Sequence, residues 1–381
     1  MRAYLLLCLL FGVTYSWAVP SVPPTLDEKI GQMLMVGFDG LKVDQNSAIV
    51  RDIQQYHLGG VVLYEHSAAH TINTQPAKRN QLKNIKNPKQ LRELTRQLQH
   101  YSQIPLFIAI DQEGGRVNRL RPENGFAKSL SAARLGRINK PSVTNKYASA
   151  MARTLAQAGI NVNFAPVVDL NSNPHNPVIG KLGRAFSNNP QIVSQQASIF
   201  ADNMRQRDVI CTLKHFPGHG SSRADSHKGF VNITRTWRRR ELQPYEHLFN
   251  SGHGCDMVMV AHVYNAKLDK HYPASLSRNI VTGLLRKQLH FDGIVVTDDL
   301  QMGAIDKNYS LADTLRLAIN AGDDILVFSS NLKSQHDSRV AQIVTTIKQL
   351  IKQGKIKQSQ IDDAYYRIIK LKRKHLAGFK T

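Results

Sequence analysis

The sequence predicts a single closed (β/α)8 barrel of the TIM type with extra C-terminal helices. Eight short apolar runs, rich in β-branched residues, recur along the 381-residue chain. A segment with helical periodicity separates each run from the next, and eight alternating units of this kind form a closed parallel barrel. No linker divides the chain, so we expect one barrel domain over residues 19–381.

The apolar runs are short enough to be buried strands and too short to be helices. They lie at residues 33–37, 60–63, 106–110, 162–164, 210–213, 257–260, 294–297 and 325–328. The clearest helical patterns between them are at residues 144–158, 191–206 and 311–320. Two later amphipathic patterns, 337–352 and 358–375, are expected to pack against the outside of the barrel.

Two connections are long. Residues 65–87 follow the second strand and carry basic and amide side chains, so they are either a lid or a disordered insert. Residues 171–190 follow the fourth strand, are rich in Asn, Pro and Gly, and carry Arg184 near their middle. Because each connection follows a strand, both are expected on the face of the barrel at the carboxyl ends of the strands.

The first 18 residues resemble a secretory signal peptide. Arg2 supplies the positive start, residues 4–13 the apolar region, and Ser16-Trp17-Ala18 a cleavage site. The apolar run is shorter than the roughly 20 residues that span a bilayer. We therefore expect an exported protein, periplasmic or secreted.

The composition restricts the partners. The formal net charge of +22 favours anionic surroundings such as a cell wall or nucleic acid. The densest basic run, residues 235–240, is interpreted as a solvated helix face, and no nucleic-acid-binding signature accompanies it. No nucleic-acid partner is expected, and the oligomeric state stays open. Outside the signal segment, Cys211 and Cys255 could form a disulfide or remain two buried thiols.

Polar residues follow several predicted strands and would meet at one rim of the barrel, where active sites of such barrels lie. They are Asp111, Asp169, Lys214, His215, His262, Asp298 and Asp299. Carboxylates accept hydrogen bonds from sugar hydroxyls, and Lys and Arg donate to them. The rim therefore suits a polyhydroxylated ligand.

The loop at residues 214–229 concentrates proton-handling side chains. A zinc site at His215 and His219 is disfavoured, because Pro217 and Gly218 prevent the helix that an i,i+4 ligand pair requires. In Asp225-Ser226-His227 a carboxylate can hold an imidazole and raise its proton affinity. No metal and no cofactor are expected.

Seven motifs in order make the resemblance specific. They are IDQEGGRVNRL, NFAPVVDLNSNPHNPVIG, GRAF, KHFPGHG, DSH, PASLS and TDDLQM. From residue 26 to about residue 322 the sequence resembles the β-N-acetylglucosaminidase branch of glycoside hydrolase family 3. The resemblance implies a retaining exo-hydrolase of terminal N-acetylglucosamine, acting on peptidoglycan fragments or chitooligosaccharides. The positive net charge adds an anionic cell-wall surface as a candidate partner.

The resemblance also implies roles for individual residues. Asp298 would be the nucleophile, His227 the acid/base and Asp225 its partner. Asp169 and His262 would support the site. Asp299 is adjacent to Asp298, but the alternation of side chains along a strand would point it away from the site, so we expect it to be structural. The implied sugar contacts are Asp111, Arg119, Arg184, Lys214 and His215.

The sequence departs from the family pattern in three places: Gly220-Ser221-Ser222 replaces a common GDT, residues 65–87 are inserted, and a signal segment precedes the barrel. Cations of the insert, including Lys83, would attract an anionic aglycone, opposed only by Glu65. Two other functions remain open: transfer of the sugar to phosphate, and a wall-binding barrel without turnover.

Overall fold

The computed structural model of the protein describes residues 23–66, 82–330 and 339–377. The expected signal segment, residues 1–18, and the middle of the insert, residues 67–81, lie outside this range. Among the described residues, no helix combines the length and the apolar character needed to cross a membrane.

Eight parallel strands form a closed barrel, as predicted. In chain order they are β1 Leu34–Gly37, β2 Gly60–Leu63, β3 Phe107–Ile110, β4 Val162–Asn163, β5 Ile210–Phe216, β6 Met257–Val260, β7 Ile294–Thr297 and β8 Leu326–Phe328. Each pairs in parallel with its neighbours, β1 with β8 included, and a bridge between Val296 and Ile325 joins β7 to β8. The predicted boundaries of β1, β3, β4 and β8 differ from the observed ones by one residue. The larger error is at β5, which continues to Phe216, so Lys214 and His215 are strand residues rather than loop residues.

The helices surround the barrel. They are α1 Leu26–Gln32, α2 Ala48–Tyr56, α3 Pro88–His100, α4 Ala132–Ile138, α5 Pro141–Gln157, α6 Pro190–Arg205, α7 Gln243–Ser251, α8 Gly303–Asp306, α9 Leu311–Ala321, α10 Val340–Lys352 and α11 Gln358–His375. A π-helix, Asn279–Gln288, connects β6 to β7. Proline at the first turn of α3, α5 and α6 begins those helices where its missing N–H costs nothing.

The last helix does more than cover the outside of the barrel. The Lys372 side chain of α11 is fully buried, and its Nζ donates to Gln32 Oε1 and to the Gly59 carbonyl oxygen, each at 2.8 Å. The same ammonium lies 4.8 Å from the centre of the Phe107 ring. Gln32, Gly59 and Phe107 stand where β1, β2 and β3 begin, so α11 closes the end of the barrel opposite to the rim.

The basic run at residues 235–240 is mostly solvent-exposed, as expected, but it is anchored by its tryptophan. Trp237 is buried, and its indole Nε1 donates to the carbonyl oxygen of Pro217 at 2.9 Å. Arg235, Arg238, Arg239 and Arg240 are exposed. The run is a turn followed by a short 3-10 helix, Arg239–Leu242, that leads into α7.

A disulfide joins β5 to the start of β6. Cys211 and Cys255 are bonded, with 5.1 Å between their Cα atoms and a sequence separation of 44. Because the bond limits the freedom of the unfolded chain, replacing both cysteines with serine should lower the free energy of unfolding by about 2–4 kcal/mol. Chemical denaturation of the variant, with reduced wild-type protein as control, measures this. Equal midpoints for oxidised and reduced wild-type protein would contradict it.

Candidate active site

The rim of the barrel surrounds one cavity of about 400 Å³. Seven of the eight residues predicted for the site line it, and the eighth, Asp225, contacts one of the seven. The lining residues are Asp111, Arg119, Arg184, Lys214, His215, His227 and Asp298. Strand β5 and the connections after β3, β4, β5 and β7 therefore all contribute to one site.

Asp298 follows β7 directly. Its backbone N–H donates to the Val260 carbonyl oxygen at 3.0 Å, which continues the strand pairing, and its Oδ1 accepts the Asp299 N–H at 2.9 Å. Burial alone would raise the pKa of the carboxyl, but nearby His262, His215 and His227 and this hydrogen bond hold the pKa below its ordinary value. Asp298 is thus ionised at neutral pH and open to the cavity, as a nucleophile must be.

His227 is held by Asp225. Its Nδ1 lies 2.9 Å from Asp225 Oδ1, and its backbone N–H donates to the same oxygen. Burial alone would lower the pKa of the imidazole, but the hydrogen bond to Asp225 and the charge of Asp298 outweigh it and raise the pKa. The side chain is half exposed. His227 can therefore keep a proton at neutral pH and still exchange it with solvent.

The loop that carries His227 is bound to the segment that follows Asp298. The N–H groups of Gly303 and Ala304 donate to the carbonyl oxygens of His227 and Ser226, each at 3.2 Å. A Cβ on Gly303 would come within 2.9 Å of the His227 oxygen, so this close approach requires glycine. Two hydrogen bonds thus hold the segment that carries His227 against the segment that follows Asp298.

Lys214 and Arg184 belong to an ion network under the cavity. Lys214 Nζ lies 2.7 Å from Asp111 Oδ1 and 2.8 Å from Glu113 Oε1. Arg184 binds both oxygens of Glu113, at 2.7 and 2.8 Å. Burial opposes ionisation of Glu113, but Arg184 and Lys214 lower its pKa to about 2. The network fixes both cations in place before any ligand arrives.

Sequence reasoning missed Glu113. It lies in a short hairpin, Gln112–Gly114 with Val117–Asn118, that folds back immediately after β3. The signal was present, since Glu113 stands two residues after Asp111 in the first motif. Only the hairpin geometry shows that it turns toward Arg184 and Lys214.

His215 connects two of these groups. Its Nδ1 lies 2.7 Å from Asp169 Oδ2, and its Nε2 lies 3.2 Å from Arg184 Nη2. A guanidinium can only donate, so Nε2 accepts and the ring proton is on Nδ1, facing Asp169.

His219 does not line the cavity. It is buried between the hydroxyls of Ser222 and Ser226, and burial lowers its pKa to about 4. Within the described ranges, no group of three or more His, Cys, Asp or Glu is arranged to hold a metal ion.

Asp169 and His262 lie where supporting residues were predicted. Besides His215, Asp169 accepts the His219 N–H at 2.7 Å. His262 Nδ1 lies 2.7 Å from the Ser275 hydroxyl and Nε2 lies 2.9 Å from the Asp299 carbonyl oxygen. Neither residue is part of the cavity lining.

Asp299 is structural but does not point away as expected. It lines the same cavity, its Oδ2 accepts the Ser329 hydroxyl, and its Oδ1 accepts the N–H groups of Gln301 and Ser329, each at 3.1 Å. Burial raises the pKa of Asp299 to about 6. The chain leaves the strand direction after Thr297, so alternation along the strand no longer applies there.

The charges expected in the insert are arranged differently. Lys83 is buried, donates to the Ser330 carbonyl oxygen at 2.8 Å and lies 3.4 Å from Asp39, so it cannot receive a ligand. Glu65 is also buried and binds Arg121 at 2.7 Å instead of opposing the insert lysines. A neighbouring cleft of about 530 Å³ is lined by three cations, Arg116, Arg121 and Lys128, and by one carboxylate, Glu123, which lies 3.6 Å from Arg121.

Comparisons with known proteins agree on one family. The sequence profile described as the glycosyl hydrolase family 3 N terminal domain matches residues 25–371. The chain is 32% identical over 389 residues to beta-hexosaminidase A of Pseudoalteromonas piscicida, covering 93% of this chain and 62% of that protein. It is 27% identical over 363 residues to a secreted glycosyl hydrolase of Arthroderma benhamiae, covering 94% of this chain and 96% of that protein.

A solved structure gives the same result. The barrel superposes with a TM-score of 0.82 on a glycoside hydrolase family 3 beta-N-acetylglucosaminidase from Paenibacillus, at 31% identity. The match covers 93% of this chain and 63% of that one. The chain thus spans less than two thirds of the length of the hexosaminidase and of this structure.

Proposed function

The chain belongs to glycoside hydrolase family 3, and on this premise we propose that it is a retaining exo-β-N-acetylglucosaminidase. The observation that carries the proposal is the pairing of an ionised Asp298 with the Asp225-held imidazole of His227 at one cavity. An attacking carboxylate and a separate proton donor are the two groups that retaining hydrolysis needs.

The reaction would proceed in two steps. Asp298 attacks the anomeric carbon of the terminal sugar while protonated His227 gives its proton to the leaving glycosidic oxygen, so that a covalent glycosyl–Asp298 ester and the free aglycone form. Neutral His227 then takes a proton from water, the water oxygen attacks the anomeric carbon, and Asp298 leaves as a carboxylate. The products are N-acetylglucosamine and the shortened glycan.

The remaining predicted residues would bind the sugar in place. Asp111 would accept hydrogen bonds from hydroxyls, whereas Arg119, Arg184 and Lys214 would donate them, and His215 lies between Arg184 and Asp169. Arg119 stands 5.3 Å from the centre of the Tyr64 ring and 3.5 Å from Asp111 Oδ2, which restrains its long side chain. Such preorganisation lowers the entropic cost of binding.

An aryl β-N-acetylglucosaminide tests the activity. Purified protein should release the phenol between about pH 5 and 8, should cleave the matching β-glucoside much more slowly, and should give free N-acetylglucosamine whether or not phosphate is added. Absence of release would contradict the proposal, and a sugar phosphate product would replace hydrolysis by phosphorolysis.

The proposed natural substrates are N-acetylglucosamine-terminated cell-wall fragments, with chitooligosaccharides as the neutral alternative. The support is the cleft beside the cavity, which shares Arg121 with it and is also lined by Arg116 and Lys128. A carboxylate on the aglycone would be attracted there. The resemblance of residues 1–18 to a signal peptide supports action outside the cytoplasm.

Removing charge from this cleft should distinguish the two substrate classes. The double variant Arg116→Gln/Lys128→Gln should raise KM for carboxylate-bearing wall fragments about three- to tenfold at low salt and leave KM for chitobiose unchanged. Steady-state kinetics measure both values. Arg235→Gln/Arg239→Gln removes the same charge from an exposed segment outside the cavity lining and serves as the control. Equal changes for both substrates would remove the support for an anionic aglycone.

A further inference from the structure

A buried carboxyl group lies behind the loop that carries His227. Glu241 is 1% exposed and sits in the 3-10 helix Arg239–Leu242. A Cβ on Gly218 would come within 2.5 Å of Glu241 Oε2 and 2.7 Å of its Cβ. The backbone of residues 217–222, here called the β5 turn, therefore rests directly on this side chain.

Among the described residues no cation pairs with Glu241, and the donors around its carboxyl group are few and weak. Its Oε1 has one long contact, 3.4 Å to the Ser172 hydroxyl. In the described part of the chain, neither Oε2 nor the nearby Ser221 hydroxyl has a hydrogen-bond partner. The arginines of its own segment are exposed to solvent. A carboxylate buried without a cation is costly, whereas a neutral carboxylic acid is tolerated and can donate its proton.

The titratable groups around Glu241 favour the neutral acid. Asp169 repels a second negative charge from the β4 side. On the β5 side the His215 imidazole binds Asp169 and the His219 imidazole lies between the Ser222 and Ser226 hydroxyls, so neither pairs with Glu241. Tyr245 of α7 is buried, and burial raises the pKa of its phenol. Burial and then Asp169 raise the pKa of Glu241 to about 8, and weak polar contacts with Ser221, Ser172 and the Gly220 backbone oppose this shift only in part. Glu241 is therefore mostly protonated at neutral pH.

The β5 turn is the support from which the catalytic loop leaves. Its Pro217 oxygen accepts the Trp237 indole, and Asn176 Nδ2 donates to the oxygens of His219 and Gly220 at 2.8 and 3.1 Å. Before the turn, β5 carries Lys214 and His215, and after it residues 223–229 carry His227. A shift of the turn would move groups on both sides of it.

We propose that Glu241, as a neutral carboxylic acid, is a positioning residue that holds the β5 turn and through it His227. The catalytic part of this proposal rests on the proposed function. Ionisation would place a charge beside Asp169 and under Gly218, which would displace the turn and lower turnover. Glu241 does not touch the substrate, so its effect should appear in kcat and in the pH profile more than in KM.

Kinetics with an activated aryl glycoside test the positioning role. A good leaving group departs without the proton of His227, so kcat reports the second step, in which neutral His227 must be placed to take a proton from water. Glu241→Gln, which keeps the shape and cannot ionise, should have nearly wild-type kcat at pH 7, whereas Glu241→Ala should lose about tenfold or more. Between about pH 7 and 9 the kcat of the wild type should fall, and that of Glu241→Gln should not. An alkaline fall of equal size in both would overturn the proposal. The pH dependence of kcat for Glu241→Gln tests the proposal even if Glu241→Ala does not fold.

Thermal unfolding tests the protonation state without any activity. The pKa of Glu241 is about 8 when folded and about 4.3 when unfolded. The folded state therefore keeps a proton that the unfolded state loses, and the wild type should lose stability as pH rises through this window. The Tm of Glu241→Gln relative to wild type should increase between pH 5 and 8 and level off above.

A Tm difference that does not change with pH would overturn the neutral-acid assignment. If the wild type cleaved no β-N-acetylglucosaminide, the proposed function and the positioning role would both be overturned. The pH dependence of the Tm difference would still decide whether Glu241 is neutral.

Discussion

Replacing Asp298 with alanine should reduce kcat for every β-N-acetylglucosaminide by about 10,000-fold or more. Without this carboxylate the anomeric carbon has no nucleophile, so good and poor leaving groups should lose activity alike. The adjacent carboxylate of Asp299 is not expected to substitute, because it is engaged by Ser329 and Gln301. Steady-state rates with two aryl substrates of different acidity measure the effect.

Asp299→Asn provides the matched control for Asp298→Ala. An amide cannot accept all the hydrogen bonds of the Asp299 carboxylate, so this variant should lose stability and at most about 100-fold in kcat. Azide should restore turnover to Asp298→Ala by occupying the space of the missing carboxylate. If kcat fell more in Asp299→Asn than in Asp298→Ala, Asp298 would not be the nucleophile.

Replacing His227 with alanine should separate substrates by their leaving groups. Natural disaccharides, whose alkoxide leaving groups need a proton, should lose about 100- to 10,000-fold in kcat/KM, whereas substrates with acidic phenols should lose much less. Equal losses for both classes in kcat/KM, which reports the first chemical step, would contradict protonation by His227.

Asp225→Asn is the matched control for the His227 result. Asp225 contributes to raising the pKa of His227, so its removal should lower that pKa. Since the reaction uses protonated His227, kcat/KM for poor leaving groups falls as pH rises through this pKa. In the pH profile of kcat/KM, the alkaline fall of Asp225→Asn should thus lie at lower pH than that of the wild type. An alkaline fall at the same pH in both would show that Asp225 does not raise the pKa of His227.

Much of the fold could be predicted because each barrel strand is a short β-branched run between helical patterns. Parallel strands that are buried on both faces have a continuous run of apolar residues, whatever the details of their packing. The extension of β5 to Phe216 could not be predicted, because Lys214 and His215 are polar residues that the ion network makes tolerable inside a strand. A sequence does not show which charges will find partners.

The site could be predicted as a set of residues but not as a network. Asp298, Asp225 and His227 follow from motifs, whereas Glu113 acquires its role only when the hairpin after β3 folds back onto Arg184. Lys83 and Glu241 both stand in basic or polar surroundings in the sequence, yet both are buried. The pairing of Cys211 with Cys255 likewise required the adjacency of β5 and β6.

Trapping the covalent intermediate tests the central claim most directly. A slow 5-fluoro N-acetylglucosaminyl fluoride should leave one sugar on the protein, and peptide mass spectrometry should place it on Asp298, with the β anomer as the first product released from a normal substrate. Attachment to any other residue, or release of the α anomer without a trapped sugar, would contradict a double displacement through Asp298.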